Sequence, residues 1–160
     1  MQKLLSAHQS NALSVSSIGL SFVAPSGISR STWVFDSDVT HHMTNDIFLF
    51  SYISAFSFPA SVLTANGTPM SLAGIGSIVS PQLSLSDVYC LHQLTLNLIS
   101  ISQLCDSGHI VHFSSTSCHV QDPHSKKLIG TGRREEGLYI LEKLQVPDFA
   151  ASKLICRRLD

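Results

Sequence analysis

Side chains able to do chemistry fall mainly in two stretches of the 160-residue chain. The first is Asp36-Ser37-Asp38, with His41 and His42 close behind, directly after the apolar run Trp33-Val34-Phe35. The second is Asp106-Ser107-Gly108, followed by His109, His112, Cys118 and His119. Histidine and cysteine at close spacing are donors of the kind that hold zinc. In a strand, however, His109 and His112 are an odd number of positions apart and point to opposite faces. They are therefore expected to be surface or half-buried residues of a Ser/Thr-rich sheet, with no metal. The four cysteines, Cys90, Cys105, Cys118 and Cys156, include no C-x-x-C pair and are expected as reduced thiols.

The elements that position these residues read as mostly β. Trp33-Val34-Phe35 is bulky and partly β-branched, which favours a buried strand. Strand signals follow at Phe48–Ile53, Ala60–Ala65, Leu72–Val79 and Leu83–Leu91, punctuated by Asn66-Gly67, Pro69 and Ser80-Pro81. Asn-Gly favours the tight turns of hairpins. One segment breaks the pattern: Leu98, Ile101 and Leu104 recur at helical spacing, with Asn97 as the expected cap and Gly108 past the end. That predicts a short helix near residues 97–105. Strand signals resume at His109–Phe113, Cys118–Gln121, Leu128–Thr131 and Leu138–Leu141. Residues 1–31 are Ser-rich and read as a poorly ordered linker or arm, with Ile18–Leu20 and Phe22–Ala24 as a candidate edge strand. Residues 32–143 read as the folded domain and 144–160 as a tail.

Composition limits the partners. Hydrophobic residues make up 44% of the chain and charged residues only 13%, with a net charge of −1. A real core is affordable, whereas the longest basic run, Arg133-Arg134, is no footprint for nucleic acid. No apolar run approaches a membrane span, and Met1–Ala7 is too short for a signal-peptide core. The expectation is a cytoplasmic protein that binds neither nucleic acid nor membrane through this segment.

The run from Trp33 to Thr44, WVFDSDVTHHMT, resembles the W-[IV]-x-D-S-G-A-[TS]-x-H-M-T signature of copia-type retrotransposon polyproteins. Leu63–Gly67 is similar to that family's L-A-N-G hairpin, and Gly74–Ile78 to its G-x-G-T-V return strand. Leu85–Val88 through Leu96–Leu104 resembles its L-x-[DN]-V … N-L-[LI]-S-[IV]-S-x-L segment. Ile129–Gly132 and Gly137–Tyr139 fit the end of the domain. Roughly residues 33–142 are covered, in the family's order.

The resemblance implies a retropepsin-like closed β-barrel whose ancestral activity is aspartic endopeptidase processing of its own polyprotein. Such enzymes are homodimers in which each copy supplies one carboxylate, and the two share a proton to activate water. No cofactor or metal takes part. By this resemblance Asp36 is the catalytic carboxylate and Ser37 the hydroxyl that fixes the two loops. Asn66 and Gly67, or the neighbouring hairpin through Gly74 and Gly76, supply the flap over substrate. Asp38 stands where the family has glycine. It adds charge beside a dyad already crowded with it and fills space that glycine leaves open, which implies impaired catalysis. A module that keeps only the fold for dimerisation or binding is the competing reading. An unrelated β-sandwich is a third, and it would leave Asp36 on a lone outer surface. The intact Asp106-Ser107-Gly108 follows a helical pattern rather than an apolar strand, so it reads as a helix stop. His42 is expected to fix the turn by hydrogen bonding, since the mechanism needs no imidazole.

Overall fold

The computed structural model describes residues 13–14, 31–64, 67–81 and 83–142, apart from the side chains of residues 13, 14, 57 and 58. The chain is mainly β with one short helix. Its strands are β1 (Leu13–Ser14), β2 (Trp33–Asp36), β3 (Met43–Thr44), β4 (Tyr52–Leu63), β5 (Pro69–Val79), β6 (Ser84–Cys90) and β7 (Asn97–Ser100). Helix α1 (Ile101–Asp106) follows, then β8 (Ile110–Phe113), β9 (Ser117–Gln121), β10 (Leu128–Glu135) and β11 (Leu138–Leu141). All belong to one sheet in the order β1-β4-β5-β6-β3-β7-β2-β11-β10-β9-β8. In this order the terminal strands β1 and β8 each have a single neighbour among the described residues. Also among them, no helix is long and apolar enough to cross a membrane.

Strands β2 and β7 form the middle of the sheet and run parallel, with Trp33 opposite Asn97 and Asp36 opposite Ser100. Parallel pairs are stable where both faces are covered, and here both are. Trp33, Phe35 and Ile99 enter one buried cluster with Phe50, Ile78, Leu85, Val88, Leu104 and Val120. Val34 and Leu98 point the other way, into a second cluster with Val39, Met43, Val62, Met70, Leu72 and Tyr89. Alternation along the strands thus assigns each apolar residue to one of two cores.

Several boundaries differ from the sequence expectation. Phe48 does not open a strand: Ile47–Leu49 is a 3-10 turn capped by Asp46, whose carboxylate accepts from the Phe48 N–H, and β4 starts at Tyr52. The expected strands Phe48–Ile53 and Ala60–Ala65 are replaced by one long strand, because β5 pairs with both Tyr52–Ala55 and Ala60–Leu63, with a register shift between the two stretches. Gly74 and Gly76 therefore lie inside the same hairpin as Gly67, not in a neighbouring one. Asn66 lies outside the described residues. Asn97 does not cap the helix. It is the first residue of β7, fully buried, and the cap is Ser100. The apolar spacing that suggested helix from Asn97 arises because Leu98 faces one core while Ile101 and Leu104 follow on the helix behind it. The arm 1–31 and tail 144–160 fall almost wholly outside the described residues. Leu13–Ser14 of that arm pairs with Val62–Leu63 at the edge of the sheet, and the candidate edge strand at Ile18–Ala24 is not among the described residues.

Two of the hairpin glycines, Gly67 and Gly76, serve different needs. Gly67 adopts a positive φ of 80° in open space and lets its N–H close the turn onto the Thr64 carbonyl at 2.8 Å. Gly76 lies where a Cβ would run into the Tyr52 carbonyl oxygen, the Phe50 ring at 2.7 Å and the Ile53 Cα at 2.8 Å. Gly76→Ala should therefore cost about 3 kcal/mol by overpacking, against about 1 kcal/mol for the backbone strain of Gly67→Ala. Urea unfolding midpoints of the two variants check this order, and equal midpoints would contradict the close approach.

Candidate functional site

The loop from Ser37 to His42 leaves the end of the buried strand β2 and re-enters the sheet at β3. Asp36 is the last residue of β2 and is partly exposed, while Ser37 and Asp38 are exposed and Val39 is buried. The Asp38 N–H donates to Asp36 Oδ1 at 2.7 Å, and the Ser37 hydroxyl reaches Asp38 Oδ1 at 3.4 Å. Burial pushes the Asp36 carboxyl above the ordinary carboxylate value. The Asp38 N–H pulls it back, the Asp38 charge raises it, and the Val39 N–H again lowers it. The third residue of the Asp36-Ser37-Asp38 run thus supplies a backbone N–H to the first. Its backbone is not in the left-handed region. Within one chain its side chain fills no packed space, since it faces solvent, so its effect on Asp36 is one of charge.

The other end of the loop is held by the β7–α1 junction. Ser100 donates its hydroxyl to the Val39 carbonyl at 2.8 Å and its backbone N–H to His42 Nδ1 at 3.1 Å. The His42 backbone N–H in turn donates to Gln103 Oε1 at 2.8 Å, and Gln103 Nε2 donates to the Ser86 carbonyl at 2.9 Å. His42 is only 2% exposed. Burial, with His41 and His109 adding to it, pushes its pKa down to about 4. Its Nδ1 accepts a hydrogen bond, so His42 is the neutral imidazole carrying its proton on Nε2. It secures the turn, in accord with the expectation from sequence. His41 stacks on Tyr89 with ring centroids 4.3 Å apart.

Ser100 and Gln103 were not among the residues expected from sequence. The signal was present: Ser100-Ile101-Ser102-Gln103 has the S-x-x-Q spacing of a helix capping box. Ser100 Oγ accepts from the Gln103 N–H at 3.2 Å as that motif requires. The reciprocal contact is absent, because His42 occupies both of the groups that would make it.

The remaining candidates are dispersed. Gly67, Gly74 and Gly76 belong to the β4–β5 hairpin, whose Val62, Met70 and Leu72 share a buried cluster with Val34 and Val39. Asp106-Ser107-Gly108 is a helix stop. Asp106 ends α1, Ser107 donates its N–H to the Gln103 carbonyl, and Gly108 has a φ of 89°. His112 and His119 pair across β8 and β9 with rings stacked 4.6 Å apart. His109 lies before the strand, with Nδ1 2.7 Å from the Ser107 hydroxyl. No group of three or more metal-ligating side chains occurs among the described residues. Phe50 is buried, whereas Phe48, Tyr52 and Phe56 are exposed, and the Phe58 side chain lies outside the described residues.

Residues 33–109, the span from β2 past the helix, match the family model described as the Pol polyprotein, β-barrel domain. The retrovirus-related Pol polyproteins from transposons RE2 and RE1 of Arabidopsis thaliana are similar to the chain. They are 29% identical over 112 residues and 28% identical over 116. These matches support a retrotransposon Pol polyprotein region within the chain. They cover 67% and 69% of this chain but 8% of each relative, so the chain spans a small part of those polyproteins. No solved structure shows a significant match.

Within this Pol region, His42 gives a measurable signature. Its folded pKa of about 4 lies below the ordinary 6.5. Between these values the unfolded chain takes up a proton that the folded chain refuses. Stability is therefore full above pH 6.5, falls as pH drops towards 4, and levels off below. The loss amounts to about 3 kcal/mol. Urea titrations at pH 7 and pH 4 should show this loss in the unaltered chain and a much smaller one in His42→Gln. The same pH dependence in both would contradict a buried neutral His42.

Proposed function

We propose that this Pol region is an aspartic-protease-like domain of copia type, with Asp36 in the place of the catalytic carboxylate and Asp38 suppressing catalysis. The observation that carries the reading is the setting of Asp36. It is a part-buried carboxylate with a raised pKa at the end of a buried strand, held by the backbone N–H of the residue two positions on. A carboxyl that resists ionisation in this way suits a proton-sharing dyad. One chain carries one such carboxylate, so the active unit is a homodimer and its substrate an extended polypeptide of the element's own polyprotein. The ionised member would take a proton from water while the protonated member supports the scissile carbonyl. The β4–β5 hairpin, turning at Gly67, is the flap. In the dimer two Asp38 carboxylates would join the two Asp36 groups. Like charges at that range cost several kcal/mol unless they protonate.

The exposed Phe48, Tyr52 and Phe56 side chains favour a second reading, a module that binds or dimerises without catalysis. The two are separated by peptide cleavage at mildly acid pH, using a substrate that carries the element's own processing junction. The unaltered chain should cleave slowly or not at all. Asp38→Gly should raise the rate at least about tenfold, and adding Asp36→Asn should abolish it. Pepstatin-sensitive cleavage by the unaltered chain at the Asp38→Gly rate would overturn suppression by Asp38. A dimeric Asp38→Gly chain that cleaves nothing would favour the binding module.

A further inference from the structure

The geometry points to Gln103 as the positioning residue of the Asp36 loop, acting through the main chain of His42; its catalytic consequence rests on the protease reading above. The loop from Ser37 to His42 is exposed at Ser37 and Asp38 and is anchored at both ends. Its first end is fixed by the register that sets Asp36 opposite Ser100. Its last end is fixed by the Gln103 amide, which accepts from the His42 N–H and donates to the Ser86 carbonyl of β6. One side chain therefore spans three segments: the loop, the helix and a strand from the other side of β3. Both ends of the amide are used, so its orientation is determined.

The opened capping box explains why the contact is specific. In an ordinary box the side chain at the third helical position reaches back to the cap N–H. Here the cap N–H of Ser100 goes to His42 Nδ1, and the Gln103 side chain is released to take the His42 N–H. Helix cap and loop are thereby joined as a single hydrogen-bonded unit. The unit also includes the Val39 carbonyl through the Ser100 hydroxyl. When Gln103 is lost, the His42 N–H loses its acceptor, and the strain falls on the neighbouring stretch in which the Asp38 N–H holds Asp36.

The test is amide hydrogen exchange on the full chain, comparing the unaltered protein with Gln103→Met and Gln103→Glu. Gln103→Met should speed exchange of the Asp38 and Val39 amides at least about tenfold while the β4–β5 ladder keeps its protection. Gln103→Glu, which retains an acceptor for the His42 N–H but lacks the donor to Ser86, should restore only part of the Asp38 protection. Unchanged Asp38 exchange in Gln103→Met, or equal acceleration of every amide, would each overturn the assignment. In the Asp38→Gly background, Gln103→Met should lower kcat about tenfold with KM within about twofold. An unchanged kcat there would overturn the catalytic consequence. If the Asp38→Gly chain cleaves nothing, the protease reading fails, while the exchange data still decide whether Gln103 holds the loop.

Discussion

The parallel pairing of Trp33–Asp36 with Asn97–Ser100 is the constraint from which the rest of the structure follows. A parallel pair cannot be closed by a tight turn, so the chain between the two strands must travel out and return. That excursion contains the candidate site loop, the 3-10 turn, the long β4–β5 hairpin and β6. The register also divides the apolar residues. A slip of one position would exchange Val34 with Phe35 between the two cores. It would also part Asp36 from Ser100, and with it the loop from the helix cap that holds it.

Polar groups near this pair are few, and most of them tie one segment to another. His42 sits in the interior as a neutral ring because burial makes its charged form costly. Thr44 donates its hydroxyl to Asn97 Oδ1 at 2.7 Å, which ties β3 to β7 from inside the protein. Hydrogen bonds of this kind are worth little net when made, but they are costly to break when buried. They therefore select one arrangement of the loop rather than add much stability.

Asp36 occupies the boundary between these regimes. It is buried enough to resist ionisation, yet it belongs to a loop whose tip is in solvent. The Asp38 side chain points into that solvent, so a single chain accommodates it without distortion. In the proposed homodimer its cost would arise from a second pair of carboxylates brought to the same place. The same residue is thus nearly neutral for the fold and decisive for the proposed chemistry.

The mainly β architecture was legible from the spacing of apolar residues and turn formers, and so were the ends of several strands. The helix stop at Gly108 was legible too, because a left-handed residue after an apolar repeat is a local matter. The start of that helix was misjudged for a tertiary reason. Leu98 looks helical beside Ile101 and Leu104, but β2 supplies a pairing partner that makes Asn97–Ser100 a strand. The hairpin was likewise divided in two by its glycines, since only pairing with β4 shows that Gly74 and Gly76 permit close backbone approach within one strand. By itself, the sequence determined the residue types at the Asp36 loop, the order of the segments and the resemblance to a Pol region. The tertiary structure alone decided which groups meet there. Ser100 and Gln103 lie about sixty residues from His42 in sequence, and a contact across that distance exists only once the parallel strands have brought its two ends together.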